Sequence, residues 1–162
     1  MNHSEFVISC GGIQPEPSEP PMEHRFIDPT LQGNERIVEA IRLFRRENTD
    51  AAYIAACMAI RQQMLGQGHL IFPADAVDDM EDADFIFHTL DIDGAAFLVA
   101  FTDQEEYSKA PPSGAVSHFI DSMLETVMQQ NLAGMIINPW GEQLVLCKAD
   151  IAMILSGEVH SV

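Results

Sequence analysis

Apolar residues recur with two distinct periods along this chain, and the alternation between those periods predicts its elements. Ile37, Ala40, Ile41 and Phe44 fall at i, i+3, i+4 and i+7, one face of an amphipathic helix, with Arg36, Arg42, Arg45 and Arg46 on the other side. Asn48 or Thr49 can cap a second helix, apolar nearly all round over residues 51–64 and ended by Gly66 and Gly68. Residues 69–73 read as a short strand closed by Pro73. Two apolar runs, 85–90 and 95–101, meet across Asp93-Gly94, a hairpin signal because both turn positions want positive φ. The second run is unbroken, which predicts a central strand covered on both faces. Thr102-Asp103-Gln104-Glu105 fits a capping box for a short helix that must end before Pro111 and Pro112. Val116, Phe119, Ile120, Met123, Leu124 and Val127 then hold the helical period. A second hairpin pairs 133–138 with 143–147 through Asn138-Pro139-Trp140-Gly141, whose residues suit a type I turn. A last helix, 149–155, closes at Gly157.

Hairpins without regular strand–helix alternation imply an α+β domain: an about five-stranded, mainly antiparallel sheet with helices packed on it. The 162 residues suit one domain. Residues 1–32 hold five of the nine prolines and show no period, so they read as a loose leader. The domain then spans 33–157, and 158–162 form a short tail.

Charge narrows the function classes. Eight basic residues stand against 25 acidic ones, for a net charge of −17. A phosphate backbone is held mainly by Lys and Arg, and an anionic membrane surface also needs basic residues, so neither nucleic acid nor membrane is an expected partner. The charge is uneven: residues 64–110 hold eleven acids and one lysine, beside a mildly basic first helix. That polarity suits self-association into a homo-oligomer or a basic protein partner.

No run approaches the about 20 apolar residues of a membrane-spanning helix. Val7-Ile8-Ser9-Cys10-Gly11 imitates a lipoprotein cleavage box, but no basic start or apolar core precedes it. Cys10, Cys57 and Cys147 are odd in number and show no CxxC spacing, and Cys57 and Cys147 read as small buried hydrophobes. The expected compartment is the cytoplasm.

Candidate chemistry is sparse. Asp91, Asp93 and Gly94 invite a calcium loop, but with Gly94 at position 6 the twelfth position is Ala100 and the bidentate acid is missing. The acids between Asp75 and Asp84 have no metal-ligand spacing and read as a solvated run. No G-x-S-x-G elbow occurs, the six histidines are scattered, and Gly66-Gln67-Gly68 lacks the lysine of a phosphate loop. A Cys57 or Cys147 nucleophile paired with His69, His88 or His118 is the weakest of the readings. No catalytic residue, metal or cofactor is expected. Trp140, the one tryptophan, sits inside a tight turn where an aromatic commonly anchors a contact; the competing reading folds it back over the sheet edge.

Two stretches carry a family resemblance. Ala96-Phe97-Leu98-Val99-Ala100-Phe101-Thr102-Asp103, followed by Glu105 and Glu106, resembles the apolar strand ending in Phe-Thr of the SseB N-terminal domain family (enhanced serine sensitivity). Leu132-Ala133-Gly134-Met135-Ile136-Ile137-Asn138-Pro139-Trp140-Gly141 is similar to its second landmark, a strand and turn of pattern AGI-x-x-N-P-x-G. Order and spacing agree, and the likeness spans residues 33–157. It implies a bacterial cytosolic module and supplies no reaction. The expected function is a non-catalytic interaction or regulatory module with a protein-binding surface at Thr102, Asn138, Pro139, Trp140 and Gly141. The alternative is an acidic inhibitor or immunity-type protein that binds a basic partner.

Overall fold

The computed structural model describes residues 2–9, 28–76 and 84–158. The proline-rich stretch 10–27, Cys10, most of the acidic run at 77–83, and the tail from 159 lie outside the described residues. The elements are β1 (Asn2–Ser9), a 3-10 turn (Pro29–Leu31), α1 (Glu35–Glu47), α2 (Asp50–Leu65), β2 (His69–Ala76), β3 (Asp84–Ile92) and β4 (Ala95–Ala100). They continue with α3 (Gln104–Ser108), β5 (Ala115–Phe119), α4 (Ile120–Gln129), β6 (Gly134–Ile137), β7 (Leu144–Cys147) and α5 (Lys148–Ser156).

The fold is α+β, as the hairpin pattern requires. The sheet has seven strands rather than about five, in the order β5-β2-β3-β4-β6-β7, with β1 on β3. One pairing, β4 with β6, is parallel. Two strands were not expected. Residues 2–9, read as leader, lie antiparallel along β3 from Asn2 opposite Asp91 to Ser9 opposite Asp84. Residues 115–119, read as the start of a helix, form β5, because Val116 and His118 point inward with the period of a strand. The helix begins only at Ile120.

A strand has two edges, and β1 occupies one edge of β3 throughout. The other edge is shared: residues 85–87 pair with 76–74 of β2, and 89–92 pair with 98–95 of β4. His88 stands between the two ladders. Beyond it β2 and β4 leave β3 and meet each other, Ile71 and Phe101 exchanging backbone hydrogen bonds of 2.9 and 2.8 Å. The sheet therefore forks at His88, whose Nε2 lies 2.9 Å from Asp75 Oδ2.

Both faces of the fork are covered. Leu70, Phe72, Phe85, Phe87, Leu98, Ala100, Met135 and Ile137 face one way, against Ile37, Ile41, Cys57, Ile60, Met123, Leu124, Ile151 and Ile154 of the helices. Ile71, Leu90, Val99, Phe101 and Ile136 face the other way and form a smaller cluster with Leu31, Tyr107 and Ala110. Adjacent residues of β4 thus enter opposite cores, which explains its unbroken apolar run.

Local signals place the connections. Asp93 (φ 52°) and Gly94 (φ 83°) make the two-residue hairpin turn. Thr49 caps α2 by accepting from the Ala52 N–H at 3.1 Å, while Asn48 ends α1 in the left-handed region. The cap of α3 is Asp103, one residue later than expected, accepting from Glu106 N–H at 2.8 Å. Thr102 is diverted to a different task. Among the described residues no helix is long and apolar enough to cross a membrane.

Candidate functional site

The five residues expected at a binding surface divide into two groups. Thr102 and Asn138 are buried, 0% and 2% exposed, and face each other across the parallel ends of β4 and β6. Asn138 Oδ1 accepts the Thr102 backbone N–H at 3.0 Å, and Asn138 Nδ2 donates to Thr102 Oγ1 at 3.0 Å. The threonine hydroxyl passes its own hydrogen to Asp103 Oδ2 at 3.0 Å. From the other side Asn34, at the start of α1, donates through Nδ2 to the carbonyls of Thr102 and His69 at 2.9 and 2.8 Å. Gln63 Nε2 donates to Asn34 Oδ1 at 3.1 Å. Buried polar groups need such partners, and this network joins three strand ends to two helices. The placement of Thr102 and Asn138 on a contact surface is therefore corrected: both are buried and their side chains are engaged with each other, and they position the turn instead.

Pro139 is half-buried, and Trp140 and Gly141 are exposed. The turn closes through Gly141 N–H to Asn138 O at 3.0 Å, with Asn138 in the left-handed region (φ 54°), where asparagine is tolerated. Trp140 remains 41% exposed. Its inner ring face lies over Phe101, centroids 6.2 Å apart and 27° from parallel, and Phe101 in turn meets Tyr107 edge-on at 5.6 Å. Both readings of Trp140 thus describe part of it: one face caps the smaller core and the rest meets solvent.

A shallow cleft beside the turn is lined by Val38, Ile41, Arg42, Glu106, Lys109, Asn138 and Glu142. Lys109 Nζ donates to Glu106, which raises the lysine pKa, and Arg42 Nε lies 3.5 Å from Glu142. A side chain at Gly141 would meet the Glu106 carboxylate. The neighbouring groove along α1 carries Glu35, Glu39, Asp103 and Glu105, so the surface next to Trp140 is acidic and its two cations already face carboxylates.

The nucleophile candidates Cys57 and Cys147 lie near each other, around Tyr53 and Asp150, and differ in exposure. Cys57 is buried, and desolvation pushes its thiol up to about 12, a poor thiolate source. Cys147, expected inside, is exposed, because it ends edge strand β7 and caps α5. Its Sγ donates to Asp150 Oδ2 at 3.0 Å, and the Tyr53 hydroxyl donates to the same oxygen at 2.6 Å. Among the described residues no group of three His, Cys, Asp or Glu is placed to hold a metal ion.

One pairing was missed from sequence. His69 Nδ1 and Ser117 Oγ lie 3.0 Å apart across β2 and β5, and the same hydroxyl is 3.3 Å from Thr30 Oγ1. Thr30 N–H donates to Asp28 Oδ1 at 2.9 Å. This chain of contacts ties the 3-10 turn to the sheet. The only available signal was the alternation of 115–119, hidden by the helical period that overlaps it. No family model, no curated protein and no solved structure matches the chain.

Proposed function

We propose that this chain is a non-catalytic protein-interaction or regulatory module of the SseB N-terminal domain kind, with a contact surface centred on Trp140 and bordered by Pro139 and Gly141. The observation that carries the reading is a rigidly held, exposed aromatic. The turn that bears Trp140 is fixed by the buried Asn138–Thr102 bonds, yet the indole is 41% exposed. An aromatic already held in place loses little entropy when a partner covers it, so its area converts efficiently into affinity. The partner on this reading is a protein, not nucleic acid or a membrane surface, and the setting is the bacterial cytoplasm, as the family resemblance implies.

Trp140→Ala tests the surface. The variant should keep the circular dichroism of the parent and lose a partner that the parent captures from a bacterial lysate, identified by mass spectrometry. An unchanged partner set with an intact fold overturns the reading.

A second reading draws support from Glu35, Glu39, Asp103 and Glu105 beside the turn. An inhibitor that masks a basic protein would use such a face to accelerate encounter, and its association rate would fall steeply with salt. A rate unchanged by salt removes this reading and leaves the first standing.

A further inference from the structure

Strand β5 is an edge strand, held by its ladder with β2 and by the contacts of Ser117 with His69 Nδ1 at 3.0 Å and Thr30 Oγ1 at 3.3 Å. It lies at one end of the strand order, pairs only with β2, and buries just two side chains, Val116 and His118. Phe119 is exposed, and the preceding prolines Pro111 and Pro112 are exposed as well. Half of what β5 buries is therefore an ionisable ring.

The environment of that ring is unusual. His118 is 8% exposed, and its Nδ1 is the one buried side-chain nitrogen or oxygen among the described residues that has no hydrogen-bond partner. Leu70 stands opposite His118 in the ladder, and His69 stands opposite Phe119, one position along. The groups that face His118 are His69 from β2 and Asp121 from α4; His69 in turn faces Asp28 and Asp121. Asp121 is exposed, so water screens its attraction. A neutral imidazole can occupy this position with one nitrogen idle. A protonated one would carry a charge in an apolar core beside a second histidine that resists the same proton, and only the exposed Asp121 and a backbone hydrogen bond at Phe119 favour it.

We propose that His118 is the latch of an acid-released edge: while its ring is neutral β5 stays on β2, and protonation frees residues 115–119 and uncovers the outer edge of β2. The released segment has natural limits. On its N-terminal side Gly114 is exposed and holds β2 through the Ala74 N–H to Gly114 O bond of 2.9 Å, which would open with it. On its C-terminal side Ile120 is fully buried and its N–H donates to Gly68 O at 3.1 Å, which anchors α4. The opening is thus local, in the way that weakly buried edges open before a core does. Burial and His69 both hold the His118 pKa below its ordinary 6.5, so the ring takes up its proton only on acidification below that value.

Amide hydrogen exchange on the full chain at about pH 7.5 and about pH 5, corrected for intrinsic exchange, reads this directly. Protection of residues 115–119 should fall by about tenfold or more on acidification while that of β6 is retained. In His118→Phe, and in the neutral polar variant His118→Gln should phenylalanine not be accommodated, the acid-dependent loss should disappear. Three results would overturn the latch: unchanged protection of β5 in the parent, acid-dependent loss that persists in the variants, or loss of β6 protection together with β5.

Discussion

Asn138 and Thr102 exchange hydrogen bonds in both directions, each at 3.0 Å, and so tie the residue after β6 to the second residue after β4. The pair lies beneath the turn that carries Trp140, and it converts a surface loop into a fixed platform. Two residues that look like surface polar positions in the sequence are buried and hold the turn, and only the residues after Asn138 reach the surface.

Removing the mount should be costly. Asn138→Ala leaves the Thr102 N–H without its acceptor, at about 1–3 kcal/mol, and places a Cβ residue without asparagine's local bonds at positive φ, at about 1 kcal/mol more. Asn138→Gly removes the second cost only, so it should lie about 1 kcal/mol above the alanine variant in stability. Urea unfolding of the three proteins checks the order.

Gly134 begins β6 where no side chain fits. A Cβ there would run into the carbonyl oxygen of Leu146 on β7. Gly134→Ala should therefore destabilise by about 3 kcal/mol or more, at the upper end of overpacking costs, because the obstacle is backbone. Denaturant midpoints read this, and a variant of parental stability would contradict the packing of β6 on β7.

Thiol labelling should separate the two described cysteines. In a Cys10→Ser background, Cys147 should react in the folded protein, whereas Cys57, buried with its thiol pushed up to about 12, should react only on unfolding. Peptide mapping after a brief alkylation distinguishes them. Equal labelling in the folded state would contradict the core around α2.

Stability should fall with acid through the two cross-strand histidines. Burial, first among the causes, lowers both His69 and His118 below 6.5 in the folded protein. The unfolded chain then binds these protons more readily, so stability is full above 6.5 and declines as the pH drops through 6.5 toward the folded values. The unfolding free energy between about pH 7.5 and about pH 5.5 should slope down in the parent and flatten in a His69→Asn, His118→Phe double variant. An equal slope in both would contradict the assignment.

Much of the architecture was legible where a local rule decides it. Asp93-Gly94 needed positive φ and supplied it, Thr49 starts α2 and Gly157 ends α5 by their own chemistry, and residues 95–101 advertised burial on both faces. Pairings between distant residues were not legible. Nothing in residues 2–9 names β3 as a partner more than 70 positions away, and the parallel contact of Phe97 with Gly134 depends on a crossover through α3, β5 and α4. Strand β5 was hidden for another reason: Val116 and Phe119 fit a helical period continued by Ile120 and Met123, and only the fold shows that Phe119 faces out. Thr102 and Asn138 were misread as surface residues, since a polar side chain announces its chemistry in sequence but not its partner. Cys147 was misread because an apolar strand was assumed to bury its last residue.

The central claim, a protein-contact surface at the 138–141 turn, is most directly tested by photo-crosslinking in bacterial cells. A benzophenone amino acid would replace Trp140 in one protein and Leu65, at 59% the most exposed large apolar side chain among the described residues, in another. A discrete adduct with a second protein is expected from position 140 and not from position 65. No adduct from position 140, or the same adducts from both positions, would contradict the account.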